Sequence, residues 1–369
     1  MSHLELNAVR AALKGALVGR DAEIDGMLVA LLARQHVLLL GPPGTAKSLV
    51  TRLLADALGG NAYFERLFTA FTGPEEVFGP WSIAHMEQGK YERLTDRYLP
   101  TAEVAFLDEV FKANSAILNS LLTLLNERAF DNGTSRTSCP LQICIGASNE
   151  YPEDSSLEAL YDRFTMRFWT KPLATAEDKM AMLKMTDATV GGVGLTAEQL
   201  ANCQKLTTEV KVPDRVLRAL IKCSEGLARE GVVVSDRRLR TLVRLVQAHA
   251  FLRGDSEADK QDLMVLVDSV WRRHEERPAV AKVVMAIAAP GMARVTRMVD
   301  AAREVYERAE RDEIELPRAL AQIQEIEEAA AAVGGGTEAI VAEITNMRKQ
   351  LGRMFAMKNP LLRRALGGN

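Results

Sequence analysis

The chain has 369 residues, 47% hydrophobic and 26% charged, with 46 basic and 49 acidic side chains and a formal net charge of −3. That length exceeds what one core usually organises and predicts two or three domains. The charge balance gives no global attraction to nucleic acid or to an anionic membrane, and no apolar run approaches the ~20 residues that span a bilayer. The stretch 1–20 lacks the apolar region of a signal peptide, so a soluble, cytoplasmic protein is expected. Cys139, Cys144, Cys203 and Cys223 form no CxxC pair and have no histidines at metal-ligand spacing. Buried, reduced thiols are the simplest reading.

In chain order, helical periodicity first spans 22–34, with Val18-Gly19 just ahead of it. The apolar run 37–40 then meets Gly41-Pro42-Pro43-Gly44-Thr45-Ala46-Lys47-Ser48, and a helical stretch opens at Leu49 and continues to 58. Strand, glycine-bearing turn ending in Lys-Ser, then helix is the context of a P-loop. Backbone N–H groups and the positive helix end can wrap phosphate oxygens there. Lys47 would reach the β- and γ-phosphates, and Ser48 would offer its hydroxyl to Mg²⁺. The usual pattern has Gly where Ala46 stands, and a Cβ is expected to fit only if that residue keeps φ negative.

The interval 69–92 is longer than an ordinary crossover needs, and it precedes the apolar run 104–107. That run ends in Asp108-Glu109. Mg²⁺ takes near-octahedral oxygen coordination, so Asp108 would hold it through water while Glu109 polarises the attacking water. After a helix over 115–127, Asn132-Gly133 within 130–134 predicts a two-residue type I′ hairpin turn. The run 141–147 leads into Ser148-Asn149. Ligands of doubly wound sheets sit beyond the strands' carboxyl ends, which places Asn149 to orient water or sense a γ-phosphate. A fourth strand is expected over 168–170. Strands apolar almost throughout, separated by helices, predict a parallel sheet covered on both faces.

From 175 onward the pattern becomes helix after helix: 177–186, 196–208, 214–228, 235–253 and 256–271. An all-helical second domain follows from that. Next come the apolar segment 280–287 and a charged helix over 292–312. Two amphipathic helices, 317–332 and 337–357, flank Gly334-Gly335-Gly336 and predict a helical hairpin. Leu320, Ile323, Ile326, Ile340, Ile344, Met347, Leu351 and Met354 fall at helical spacing there. Packing against the rest of the chain is the simpler reading; a partner-docking arm is the sharper one. The expected division is 1–172, 173–275 and 276–369.

The order of Gly41–Ser48, Asp108-Glu109, Asn149 and Leu160-Tyr161-Asp162-Arg163-Phe164 resembles an AAA+ ATPase. The Ala-Lys-Ser ending, the Asp-Arg-Phe segment and Ser235-Asp236-Arg237-Arg238 resemble the MoxR family, and within it the RavA-like branch. The resemblance covers roughly 5–275, and within the family Ala46 is habitual. It implies an α/β P-loop module with a helical lid and a C-terminal helical extension. It further implies that Val18-Gly19 line the adenine pocket and that the loop through Leu49 holds the nucleotide. Lys47, Ser48, Asp108, Glu109 and Asn149 take the phosphate, Mg²⁺, acidic-motif and first-sensor roles. Arg163 matches the arginine finger acting on a neighbouring subunit, with Arg167 a second candidate. Arg237 matches the second sensor, with Ser235 as N-cap, and Arg238 could exchange roles with it.

By the same resemblance, 69–92 is an insert facing the pore of a ring and 130–134 a hairpin before the first sensor. Arg128 and Arg136 sit below a tip that carries Asp131, which is weak support for DNA contact. What the resemblance implies is a ring, most simply a hexamer. Its ATP hydrolysis would remodel a client protein or metal-cofactor assembly beside a von Willebrand factor A-domain partner. A nucleic-acid motor of the same clade and a nucleotide-switched scaffold are the alternatives.

Overall fold

The computed structural model describes residues 2–60, 62–152, 154–185, 188–334 and 337–358. The chain divides into two compact units, Met1–Val280 and Ala281–Asn369. The first opens with α1 (Ser2–Ala16), α2 (Asp21–Leu32), β1 (His36–Leu40), α3 (Lys47–Ala57) and β2 (Tyr63–Leu67). Short α4 (Pro74–Phe78) and α5 (Ile83–Met86) occupy the long interval before β3 (Val104–Asp108). Then follow α6 (Ser115–Glu127), β4 (Ala129–Asn132), β5 (Ser135–Ser138), β6 (Ile143–Ser148), α7 (Glu158–Tyr161) and β7 (Phe164–Trp169).

The main sheet has the order β2-β3-β6-β1-β7, and every pairing in it is parallel. Every residue of β1 and β6 is buried, because neighbouring strands and helices on both faces cover them. Register sets Leu40 opposite Ser148 and Leu107 opposite Gly146. Parallel pairing therefore brings the chain segments after Leu40, Asp108 and Ser148 to one edge of the sheet. The four cysteines are buried and reduced.

Two elements escape the sequence pattern. In α1, Leu6, Val9 and Leu13 are fully buried at helical spacing. In the edge strand β2, only Phe64 is buried, so its residues carry no apolar run. The fourth strand also begins earlier than expected, at Phe164.

The hairpin forms, but its turn differs from expectation. Asn132 pairs with Ser135, so the two loop residues are Gly133 and Thr134. Positive φ falls on Gly133 alone (65°), the pattern of a type II′ rather than a type I′ turn. Asn132 is held in the strand because its side chain bridges the Arg93 N–H (2.6 Å) and carbonyl (3.1 Å).

The rest of the first unit is helical: α8 (Ala176–Lys184), α9 (Ala197–Glu209), α10 (Asp214–Arg229) and α11 (Asp236–Arg253), with α12 (Arg277–Ala288) running across the division. Of the expected helix ends, 186 lies outside the described residues. The expected helix over 256–271 is instead a tight 3-10 segment, Lys260–Asp268. Fully buried Asp262 explains the tie-down, since it accepts hydrogen bonds from the Arg253 guanidinium and the Asp259 N–H and meets His249 at 2.7 Å.

In the second unit α13 (Pro290–Glu310), α14 (Leu316–Ala331) and α15 (Glu338–Lys358) share one core. Val295, Val299, Ala302, Ile323, Ile344 and Leu351 fill it. Leu320, Ile326, Ile340, Met347 and Met354 pack around its rim. The two last helices thus bury their apolar stripes against each other and α13. Between them Gly335 and Gly336 lie outside the described residues.

Candidate nucleotide site

The loop from Gly41 to Ala46 turns β1 into α3. Gly41 has φ 134°, and a Cβ there would lie 2.2 Å from the Thr170 carbonyl oxygen, so no other residue fits. Gly44 also has positive φ, 76°. Ala46 does not keep φ negative: it sits at φ 63°, ψ 24°, in the left-handed region, as the N-cap of α3. That conformation costs an L-residue roughly 1–2 kcal/mol. Alanine has no side-chain atoms beyond Cβ to add to that strain, and the loop is braced on both sides. The Arg20 guanidinium donates to the Thr45 carbonyl at 3.0 Å, and the Thr45 hydroxyl donates to the Pro42 carbonyl at 3.0 Å and meets the Thr170 hydroxyl at 3.0 Å.

Lys47 opens α3 and folds back over the loop. Its ammonium donates to the Gly41 carbonyl (2.6 Å), the Pro42 carbonyl (3.0 Å) and Asn149 Oδ1 (3.1 Å). Burial pulls its pKa below the ordinary lysine value, while nearby Asp108 and Glu109 work in the opposite direction. Asn149 in turn donates to Glu109 Oε1 at 2.6 Å. Glu109 stands at φ 51° and donates its own N–H to Asp108 Oδ1 at 3.0 Å, with Lys112 3.6 Å from its second oxygen. Ser48, in the first turn of α3, is half-buried. The sheet edge therefore gathers a cation, an amide and two carboxylates around a helix N-terminus.

Beside this loop lies a cavity of about 760 Å³ lined mostly by apolar groups, among them Leu17, Val18, Leu49, Leu173, Met182 and Met185. Gly44, Thr45 and Ala46 form its floor on the loop side. Gly19 has φ 66°, and a Cβ there would come within 2.8 Å of the Leu173 side chain. Of the predicted nucleotide segment, Val18, Gly44, Thr45, Ala46 and Leu49 line this pocket, while Gly19, Gly41, Pro42, Pro43, Lys47 and Ser48 are not among its lining residues.

The arginines go elsewhere. Arg163 and Arg237 both donate to Asn126 Oδ1, at 3.1 and 2.7 Å. With Arg34, Arg128, Arg244 and His36 they line a cavity of about 430 Å³. His36 begins β1, whereas Gly41 follows its end, so this cavity lies about 16 Å along the strand from the loop. The structure does not bring Arg163 or Arg237 to the loop of their own chain. Burial and the adjacent Arg237 both lower the Arg163 pKa.

The two alternates, Arg167 and Arg238, both bond to backbone carbonyls of their own chain. Arg167 is 3% exposed, donates to the Trp271 and Phe164 carbonyls and lies 4.2 Å over the Tyr161 ring. Arg238 donates to the carbonyls of Asp162, Thr165 and Ser269, and burial pushes its pKa down to about 9. Arg238 still lines the same cavity as Arg163 and Arg237, whereas Arg167 does not. Sequence reasoning passed over Arg20, Thr170 and Asn126, since a residue that braces a backbone carries no motif of its own.

Comparison with known proteins agrees with this geometry. Residues 4–209 match the profile of the MoxR domain in the MoxR-vWA-beta-propeller ternary systems, and residues 209–284 match an AAA lid domain. An uncharacterized protein of Methanocaldococcus jannaschii is 39% identical over 272 residues, 73% of this chain and 72% of that one. Chaperone MoxR1 of Mycobacterium tuberculosis is 31% identical over 159 residues, 42% of this chain and 41% of its own length. A crystal structure of a candidate ATPase from Cytophaga hutchinsonii shares the fold, with TM-score 0.63 at 18% identity over 78% of this chain and 94% of that one. With its parallel sheet, P-loop edge and helical lid, the chain belongs to the MoxR family of AAA+ ATPases.

Proposed function

We propose that the protein binds ATP with Mg²⁺ at the Gly41–Leu49 loop and hydrolyses it to ADP and phosphate. The observation that carries this is the Lys47–Asn149–Glu109 chain of hydrogen bonds beside the first turn of α3. In the reading, Lys47 leaves the Gly41 and Pro42 carbonyls for phosphate oxygens. Asn149 orients the attacking water against Glu109, which takes its proton. The base packs on Val18-Gly19.

Ser48 and Asp108 offer a hydroxyl and a carboxylate, hard oxygen donors that suit Mg²⁺, whose charge would neutralise the phosphates. Among the described residues no group of three or more His, Cys, Asp or Glu could hold a metal ion by itself.

Arg163 and Arg237 stand at the opposite end of β1 from the loop of their own chain, which supports a role on another subunit's nucleotide. A ring, most simply a hexamer, follows from this reading, with turnover driving remodelling of a client. The matched profile comes from systems that pair MoxR with a von Willebrand factor A-domain protein, which supports such a partner here. The chaperone name of the mycobacterial relative supports the remodelling role. The narrower RavA-like placement rests on the sequence motifs alone. We retain 1–172, 173–275 and 276–369 as functional modules, and a cytoplasmic location. Against a nucleic-acid motor stands the hairpin, where Arg136 is paired with Glu127 and Asp131.

Phosphate release from ATP, measured with Mg²⁺ and again with excess chelator, tests the central claim. Turnover abolished by the chelator is expected; no turnover under either condition overturns it.

A further inference from the structure

We infer that Arg20 is a positioning residue for phosphate: it fixes the direction of a loop amide that the nucleotide's second phosphate needs. The inference rests on the ATP-binding reading. Arg20 is 7% exposed and donates to three backbone carbonyls from three segments. Nε reaches Thr45 at 3.0 Å, one terminal nitrogen reaches Gly19 at 2.8 Å, and the other reaches Lys171 at 2.8 Å. Those carbonyls belong to the loop, to the base-pocket segment and to the stretch after β7. One guanidinium thus ties the walls of the cavity together.

The Thr45 carbonyl is the informative partner. A trans peptide is planar, so the Thr45 C=O and the Ala46 N–H point in opposite directions. Drawing the oxygen toward Arg20 turns the Ala46 N–H away from it, toward the open side of the loop. There the amides at the start of α3 have no intrahelical partner, as at any helix N-terminus. The same peptide plane leads into Ala46 at φ 63°, a strained conformation that relaxes by rotating the peptide unless the oxygen is held. Arg20 holds it.

The planar fork is needed because the three acceptors lie in different segments. A lysine ammonium is a point donor on a single stem and cannot span them equally. Arg20→Ala and Arg20→Lys therefore have graded consequences, concentrated on phosphate rather than base.

The test displaces a fluorescent ADP analogue with AMP and with ADP, in wild type, Arg20→Lys and Arg20→Ala. We expect the gain in affinity from AMP to ADP to fall about tenfold in Arg20→Ala. AMP affinity should hold within about threefold, and Arg20→Lys should fall between the two. A variant that lost only fold stability would lose AMP and ADP affinity together, and that result overturns the inference. So does an Arg20→Lys protein with the wild-type gain, which decides the matter alone if Arg20→Ala is insoluble. Failure of the wild type to take up the analogue would instead remove the nucleotide reading itself.

Discussion

The Asn149 side-chain amide donates to the Glu109 carboxylate at 2.6 Å while its own oxygen accepts from Lys47 at 3.1 Å. One neutral side chain thereby links the Lys47 ammonium to the Glu109 carboxylate.

That arrangement predicts three different failures. Lys47→Ala removes a charge that would meet phosphate in the ground state, so nucleotide affinity should be lost. Glu109→Gln keeps the shape and should keep affinity, while turnover falls by about 10²–10⁴. Asn149→Ala leaves both charges in place but frees the carboxylate, and turnover should drop by up to about 10² with affinity nearly unchanged. Nucleotide titration beside a steady-state phosphate assay separates the three. Equal affinity of wild type and Lys47→Ala would remove Lys47 from the site.

Much of the site was legible because β1, β3 and β6 are nearly unbroken apolar runs that lead into Gly41, Asp108-Glu109 and Ser148-Asn149. Leu40, Leu107 and Ala147 announce their neighbours in that way, and parallel pairing does the rest. The edge strand β2 was not legible, since Tyr63, Glu65 and Arg66 face partly outward and break the run. Ala46 misled for a related reason: backbone strain at one residue is set by bracing from Arg20 and Thr170, which lie far off in sequence. The motif order named Arg163 and Arg237, but only the fold sets them together on Asn126.

A second prediction concerns acid stability. His36 is buried between α6 and β6: Nδ1 accepts from the Cys144 N–H at 3.0 Å and Nε2 donates to the Leu125 carbonyl at 2.9 Å. Burial first, then Arg128, push its pKa from 6.5 down to about 3. Below pH 6.5 the unfolded chain binds a proton that the folded chain refuses. Stability from this site is complete above 6.5 and falls as pH drops toward 3, by about 1.4 kcal/mol per unit. Denaturant unfolding at pH 7 and pH 5 should show His36→Gln losing ~2 kcal/mol less than wild type over that interval. Equal losses would mean that His36 is charged in the native state.

A third concerns the C-terminal unit. Since α13, α14 and α15 share one core, cutting after Glu310 strands the apolar face of Val295, Val299 and Ala302. A chain ending at Glu310 should aggregate, whereas one ending at Ala289 should remain soluble and bind nucleotide. Light scattering and nucleotide titration of the two products check this. A soluble, monodisperse product from the longer cut would show that α13 finds its cover outside the three-helix core.

The last prediction tests the ring. Arg163 and Arg237 meet at Asn126, at the end of β1 opposite the loop, and Arg163 Nε is buried with no hydrogen-bond partner among the described residues. Two guanidiniums held this close repel each other, and an anion between them relieves that repulsion. A neighbour's γ-phosphate is such an anion, and an arginine placed on it can account for ~10³–10⁵ in rate. Arg163→Ala should therefore keep ATP affinity within a few fold and lose hydrolysis, because the finger does not belong to the pocket of its own chain. Mixing subunits sharpens the point. Glu109→Gln subunits carry a working Arg163 and a dead site; Arg163→Ala subunits carry the reverse. Rings that contain both have some interfaces where an intact Glu109 faces an intact Arg163, and activity should return there in part. Labelled subunits report whether exchange occurred. Mixed rings without recovery would mean that Arg163 acts within its own subunit or only holds structure. Arg167, 3% exposed and donating to the Trp271 and Phe164 carbonyls, would then be the next residue to substitute in the same assay.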